Sequence, residues 1–419
     1  MNQKKYTIGI ITTIIVLIMI TISASAINDH TLQKADKIIY TDNLEKYLTR
    51  AEIIHTQIPS QISYQKNATQ MIAIQLIKKL NQEFRYLQDE IDNATEGSVI
   101  YLNPSYVYYG NAIVNKSLTI NGNGATITGG INGIEVNGTY EVNILNSNII
   151  DAIDNGIYYH NGAYGRIENN TIINNTNGIY LQKSNNTIII NNTALENHNS
   201  GINILLSNNN TIIDNAILNN QDGIFIELSN NNKITNNNAN LNTYYGIYLL
   251  NSSNNTINSN NALNNDFGIF LQRSSNNTII GNQLWNNEYG IYLLDSSNNT
   301  INSNNASNNQ YGIFIYISNN NIITNNNANM NNKKGISLSH SINNIITSNN
   351  ALNNLEGIYL GFSSNNRIFD NTANSNNLYG IYLRQSISNI ITNNTANSNA
   401  QYGIFLELSS NATLLSNKV

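Results

Sequence analysis

The stretch Asn254–Leu271, NNTINSNNALNNDFGIFL, and its neighbour Asn276–Leu293, NNTIIGNQLWNNEYGIYL, decide the fold of this chain. A Gly-Ile pair closes each unit, and such pairs recur at Gly133, Gly156, Gly178, Gly201, Gly223, Gly246, Gly268, Gly290, Gly312, Gly335, Gly357, Gly380 and Gly403. The spacing is always 22 or 23 residues. A fixed period of this length is the signature of a repeat architecture. In twelve of the thirteen units positions +1 and +3 after the Gly are aliphatic, as in Ile247 and Leu249 or Ile291 and Leu293. That alternation points both side chains the same way from a strand. A polar turn such as Ser252–Asn255 follows, then a second short strand such as Thr278–Ile280. An Asn-rich corner and a small residue, for instance Ala262 or Ala306, complete the unit.

One unit has too little apolar surface to offset its own ordering entropy, so stability requires stacking. Stacked copies pair in parallel at about 4.8 Å, and the inward Ile and Leu become ladders inside a narrow tube. The expected fold is therefore all-β, a right-handed parallel β-helix of about 13 to 14 coils over residues 97–419. Asn tolerates left-handed backbone at corners, and stacked Asn side chains can hydrogen-bond along the axis. The fixed Gly suits a corner where a Cβ would clash or where φ is positive. A leucine-rich repeat would need Leu-x-x-Leu-x-Leu, and a calcium-binding nonapeptide repeat Gly-Gly-x-Gly-x-Asp, and both frames are absent.

The repeat unit resembles that of NosD-like and carbohydrate-binding or sugar-hydrolase-type β-helix domains. The entry segments Leu87–Gly110 (LQDEIDNATEGSVIYLNPSYVYYG) and Asn115–Gly130 (NKSLTINGNGATITGG) resemble the start of those domains, where a helix, a strand and a Gly-rich turn open the solenoid. The resemblance covers roughly residues 85–419 and is similar to that seen in surface proteins of methanogenic archaea. It is specific for fold and unspecific for function, because such solenoids carry lyases, hydrolases, epimerases, adhesins and copper-accessory proteins.

Composition separates the ends of the chain. Of 45 charged residues, 20 fall within the first 96, and the remaining 323 carry 25. The net charge of −5 comes with no basic run, which sets nucleic-acid binding aside. Lys4 and Lys5, an apolar run Thr7–Ile22 and Ala24-Ser25-Ala26 form an export signal over residues 1–26, cleaved or retained as an anchor. Residues 27–96 read as helical, with Ile77, Leu80, Phe84, Leu87 and Ile91 on one face, either capping the solenoid or forming a coil. The chain has no Cys, so no disulfide stabilises it outside the cytoplasm.

Candidate chemistry is sparse. The five His are scattered, no copper-type donor set of Cys, Met and His recurs, and neither metal nor cofactor is expected. Asp266 and Glu288 share position −2 in adjacent coils and form the best carboxylate pair, while Asp151 and Asp154 lie beside Tyr158, Tyr159 and His160. No catalytic motif is matched. Position +2 is richer: Tyr158, Tyr180, Phe225, Tyr248, Phe270, Tyr292, Phe314, Tyr359, Tyr382 and Phe405, interrupted by Asn203 and Ser337. Since +1 and +3 face the core, these aromatics form an outward stripe, either a ladder alone or a ladder that also binds a ligand or partner. Asn-x-Ser/Thr sequons at Asn67, Asn93, Asn185, Asn254, Asn276, Asn298 and Asn411 fit glycosylation, although stacked corner Asn residues should be poorly accessible. No capping element follows the last repeat before Val419, which leaves the end to fold over or to pair with another chain. The sequence thus favours an exported, non-catalytic surface protein with a polysaccharide or cell-envelope partner over a carbohydrate-active enzyme.

Overall fold

The computed structural model describes residues 83–419. The expected export signal and the helical residues before 83 lie outside them. The described chain is a parallel solenoid whose coils lay strands onto three sheets. The longest sheet has 15 strands, from Val99–Tyr101 to Thr413–Leu415, so the solenoid turns about 15 times, slightly more than the Gly-Ile count suggests. A 14-stranded sheet runs from Ala112–Val114 to Tyr402–Glu407 and carries the Gly-Ile pairs. The third sheet has eight strands, from Glu83–Tyr86 to Asn238–Asn240, and continues as single bridges such as Asn238↔Asn261 and Asn261↔Gln283.

The entry differs from the sequence expectation. Among the described residues only Leu87–Asn93 is helical, and its Leu87 and Ile91 are fully buried over the first coil. Phe84 is not on that helix. It lies in the strand Glu83–Tyr86, which pairs in parallel with Tyr106–Tyr109 and leaves Phe84 61% exposed. The strand satisfies the open backbone edge of the first coil, a need that helical spacing cannot register.

Every coil repeats one core. In a single turn Ile247, Leu249, Ile257 and Ala262 are all fully buried, as are their counterparts above and below. Register is strict: Ile247 pairs with Ile269, and Ile269 with Ile291. Like aliphatic side chains therefore stack on like, which gives the tube one continuous buried core.

The corners divide the Asn residues into two kinds. In one coil Asn251, Asn254, Ser259 and Asn264 take left-handed backbone, with φ of 50°, 58°, 55° and 57°. Each is followed at once by a buried polar residue: Ser252, Asn255, Asn260 and Asn265. The buried residues form ladders. Asn260 Oδ1 accepts from Asn237 N–H (2.9 Å) and Asn237 Nδ2 (3.0 Å), while Asn260 Nδ2 donates to Ile234 O (2.9 Å) and Asn282 Oδ1 (3.0 Å). Asn supplies both donor and acceptor, so an unbroken column satisfies itself and the corner backbone without water.

The Gly of the repeat has ordinary negative φ, so the clash explanation holds rather than the left-handed one. A Cβ on Gly246 would lie 2.6 Å from the Gly268 carbonyl oxygen and 2.7 Å from the Ala262 Cβ. The chain kinks there so that Gly and the following Ile both face inward.

Candidate functional site: the outer face of the 14-stranded sheet

That kink sets the site. Strict alternation would turn position −1 inward with +1, but two consecutive inward residues place −1 on the same outer face as +2. Tyr245 (−1) consequently stacks on Tyr248 (+2) of its own coil, ring centroids 4.5 Å apart. The sequence reading saw the +2 column and missed the −1 column of Tyr245, Phe267, Tyr289, Tyr311, Tyr379 and Tyr402. The available signal was the aromatic immediately before Gly in six units.

Together the columns form a wall of eight rings over four coils, from Tyr245 to Phe314. Along +2, Phe225, Tyr248, Phe270, Tyr292 and Phe314 are spaced at 5.0 Å. Along −1, Tyr245, Phe267, Tyr289 and Tyr311 are spaced at 5.2, 5.1 and 4.9 Å. Tyr158 and Tyr180 make a separate stacked pair at 5.1 Å, and Tyr359, Tyr379, Tyr382, Tyr402 and Phe405 form a second cluster. Within the wall the faces cover one another and the edges meet solvent, so the rings are largely half-buried and Phe270 is only 6% exposed. Burial pushes the hydroxyls of Tyr180, Tyr248 and Tyr289 up to about 12, and Tyr248 donates to Gln272 Oε1 at 2.7 Å.

Two rungs interrupt the +2 column. Ser337 lies between Phe314 and Tyr359 in register. There Lys334 fills the space: its Nζ sits 3.1 Å over the Tyr359 ring and 3.3 Å from Glu356 Oε2. Asn203 lies between Tyr180 and Phe225. Its −1 companion is Ser200, and the next −1 residue is Asp222. Ser200 Oγ and Asp222 Oδ1 are buried without hydrogen-bond partners. Burial raises the Asp222 carboxyl to about 6.

The other expected residues are placed as follows. Asp266 and Glu288 do occupy adjacent rungs, joined through backbone by Glu288 N–H to Asp266 O at 2.9 Å. Both are exposed corner residues, and among the described residues their carboxylates have no hydrogen-bond or ion-pair partner. Asp151 is an exposed left-handed corner residue that accepts from Asn174 Nδ2 at 2.7 Å. Tyr159 is fully buried and donates to Val142 O. His160 turns instead to Glu135, Nε2 to Oε1 at 2.9 Å, and stacks on Tyr158 at 4.4 Å. Glu135 was missed, although it occupies +2 one coil before Tyr158. The sequon residues Asn93, Asn185, Asn254, Asn276, Asn298 and Asn411 are exposed, which corrects the expectation of poor access: at Asn254, Asn276 and Asn298 the buried ladder residue is the next Asn. Asn67 lies outside the described residues. At the far end Leu414, Leu415 and Val419 are exposed.

Two family models match the chain: the right-handed β-helix region over residues 132–284, and the periplasmic copper-binding protein NosD over residues 221–356 and 318–419. The donor chemistry does not fit copper. Cys is absent, and among the described residues no three His, Cys, Asp or Glu come together. His198 contacts Asn175 O and His340 stacks on Phe362, on coils far from His160. No helix among the described residues is long and apolar enough to cross a membrane. No curated protein matches the chain significantly. Similar solved structures include the periplasmic alginate epimerase AlgG, at 15% identity and TM-score 0.41, covering 80% of this chain and 83% of that one. The A-module of Azotobacter vinelandii mannuronan C-5 epimerase AlgE4 matches at 15% and 0.49, covering 78% and 94%. The Dettilon tailspike protein matches at 16% and 0.43, covering 64% and 62%. At such identities the likeness is one of solenoid and not of the residues it carries. The periodic Gly-Ile core, the strict parallel register and the two family matches together make this chain a right-handed parallel β-helix repeat protein of NosD-like type.

Proposed function

We propose that the protein is an exported, non-catalytic scaffold whose solenoid presents an aromatic and polar sheet face to carbohydrate of the cell envelope or of other cells. The observation that carries this reading is the organisation of the outer face of the 14-stranded sheet: ten rungs given to outward Tyr and Phe, with the exposed carboxylates Asp266 and Glu288 at its border without hydrogen-bond or ion-pair partners among the described residues. Aromatic faces and edges complement the apolar faces of sugars, and an outer face of this kind normally has a partner. The periplasmic character of the NosD family and the N-terminal Lys4–Ala26 pattern support export.

A second reading, a polysaccharide-modifying enzyme, is favoured by one arrangement only. Glu135 and His160 form an acid–base pair on the same outer face, and Tyr158 stacks on the imidazole. An array of neutral, amino and acidic oligosaccharides, probed with the full-length protein and followed by assay of each bound glycan for cleavage or epimerisation, separates the two. Binding without turnover supports the scaffold. Turnover lost in Glu135→Gln and His160→Gln replaces it with the enzyme. A folded protein that binds no glycan sinks the carbohydrate assignment.

A further inference from the structure

The +2 aromatic column is almost continuous from Tyr158 to Phe405, and the two places where it breaks, Asn203 and Ser337, are informative. In a stack spaced at 5.0 Å, ring faces are already used by neighbouring rings. A sugar that binds by stacking needs a free face, and on this sheet free faces arise only where a ring is missing from the column. At Ser337 the chain closes the gap itself, with Lys334 laid over Tyr359 and paired to Glu356. At Asn203, among the described residues, no cation and no further ring stacks on Tyr180 or Phe225 beyond Tyr158 and Tyr248. Both outward residues of that rung, Ser200 and Asn203, are short, and Tyr180 and Phe225 stand on either side. Two rungs separate those rings, about 10 Å at the strand spacing. One further ring placed midway would lie about 5 Å from each, which is ordinary stacking distance.

The polar groups around this gap also lack partners. Among the described residues the Asn203 amide makes no side-chain hydrogen bond, and Ser200 Oγ and Asp222 Oδ1 are unpaired although Ser200 is fully buried and Asp222 only 9% exposed. Among the described residues most buried polar side chains are bonded rung to rung, and Ser200 and Asp222 join Thr187 Oγ1, Asn210 Nδ2 and Glu356 Oε2 as the exceptions. Asp222 and Glu227 give the border of the gap negative character, which disfavours anionic sugars.

We propose that the gap between Tyr180 and Phe225 is a carbohydrate subsite, which takes one neutral or amino-substituted pyranose ring between the two aromatic faces, with its hydroxyls met by the Asn203 amide. This rests on the carbohydrate reading above and names its site. Asn203→Tyr would complete the column and exclude the sugar while adding a stacking partner that the fold already accommodates in every flanking coil.

The test uses the full-length protein on the same array. Asn203→Tyr is expected to weaken binding of neutral or amino glycans at least tenfold with an unchanged or raised melting temperature. Tyr180→Ala and Phe225→Ala, each removing one exposed-side platform, should weaken it similarly and serve if Asn203→Tyr fails to fold. The wall variant Tyr248→Ala/Phe270→Ala/Tyr292→Ala should weaken binding less than Asn203→Tyr does. Undiminished binding by folded Asn203→Tyr, with loss in the wall variant, overturns the subsite and leaves the carbohydrate reading standing. A preference for uronate-rich glycans overturns the neutral or amino assignment. A folded parent that binds no sugar overturns both.

Discussion

The buried Asn column makes the sharpest quantitative prediction, tested by Asn260→Ala. Four hydrogen bonds vanish with this side chain: two accepted from Asn237 and two donated, to Ile234 O and Asn282 Oδ1. Some partners keep alternatives. Asn237 Nδ2 still reaches Ile212 O and Thr235 O, and Asn282 Oδ1 still accepts from the residue-260 backbone N–H. The Asn237 backbone N–H keeps none of its side-chain bonding. At about 0.5–1.5 kcal/mol net per bond, with one buried donor orphaned, the cost is about 4 kcal/mol. Thr243→Ala, an exposed corner change in the preceding turn, should stay within about 0.5 kcal/mol. Chemical denaturation of both variants against the parent measures the difference. Native-state hydrogen exchange on the coils around residue 260 adds a local readout, because a solenoid of nearest-neighbour interfaces can open in part. A loss below about 1 kcal/mol relative to Thr243→Ala would mean that the ladder is dispensable, and the account of how the corners are held together would fail.

Asp222 gives a pH prediction. Its carboxyl ionises near 3.8 when unfolded and about 6 when folded, so the stability associated with its neutral form is full below pH 4 and is lost as pH rises through 6. The loss is at most about 3 kcal/mol, at 1.36 per unit. Asp222→Asn should therefore be more stable than the parent at pH 8, with a parent-minus-variant difference that changes between pH 4 and 6. A difference that is flat with pH contradicts this. Gly246→Ala forces a Cβ to within 2.6 Å of the Gly268 carbonyl, which belongs to backbone and cannot yield cheaply. It should lower the melting transition more than any surface change, and an unaltered melt refutes the packing role of that Gly. Ile317 is a β-branched residue at φ 51°, on a corner where the adjacent coils use Asp295 and His340 and a more distant one Asn251. Ile317→Asn should raise stability by about 1 kcal/mol in denaturant titration, and a lowered midpoint would count against backbone strain there.

Some of the site was legible early. The +2 aromatics were read as an outward stripe, and every one of them lies on the outer face in register, Phe225 with Tyr248 and Tyr248 with Phe270. The −1 aromatics were not, because period-two parity assigns them to the core, and only the inward kink at Gly reverses that parity. Asp266 and Glu288 were correctly placed on adjacent rungs, but adjacency says nothing of what surrounds two exposed carboxylates. Glu135 and His160, 25 residues apart, meet because of the exact length of one coil plus two positions, which no local motif announces.

The sequence alone determined that this chain stacks. The inward residues are the same in every unit, so any single repeat carries the whole instruction for the core, and its fixed 22- or 23-residue period specifies the register. Tertiary structure alone decided the roles of chemically identical residues. Asn254 and Asn255 are neighbours of one type, yet one turns a left-handed corner in solvent and the other is sealed in a ladder. Asn203 and Ser337 are both small interruptions of one column, yet Lys334 lies over Tyr359 at the second, and among the described residues no cation stacks on Tyr180 or Phe225 at the first. Such differences depend on which residues one coil places against the next, and that pairing exists only once the coils are stacked.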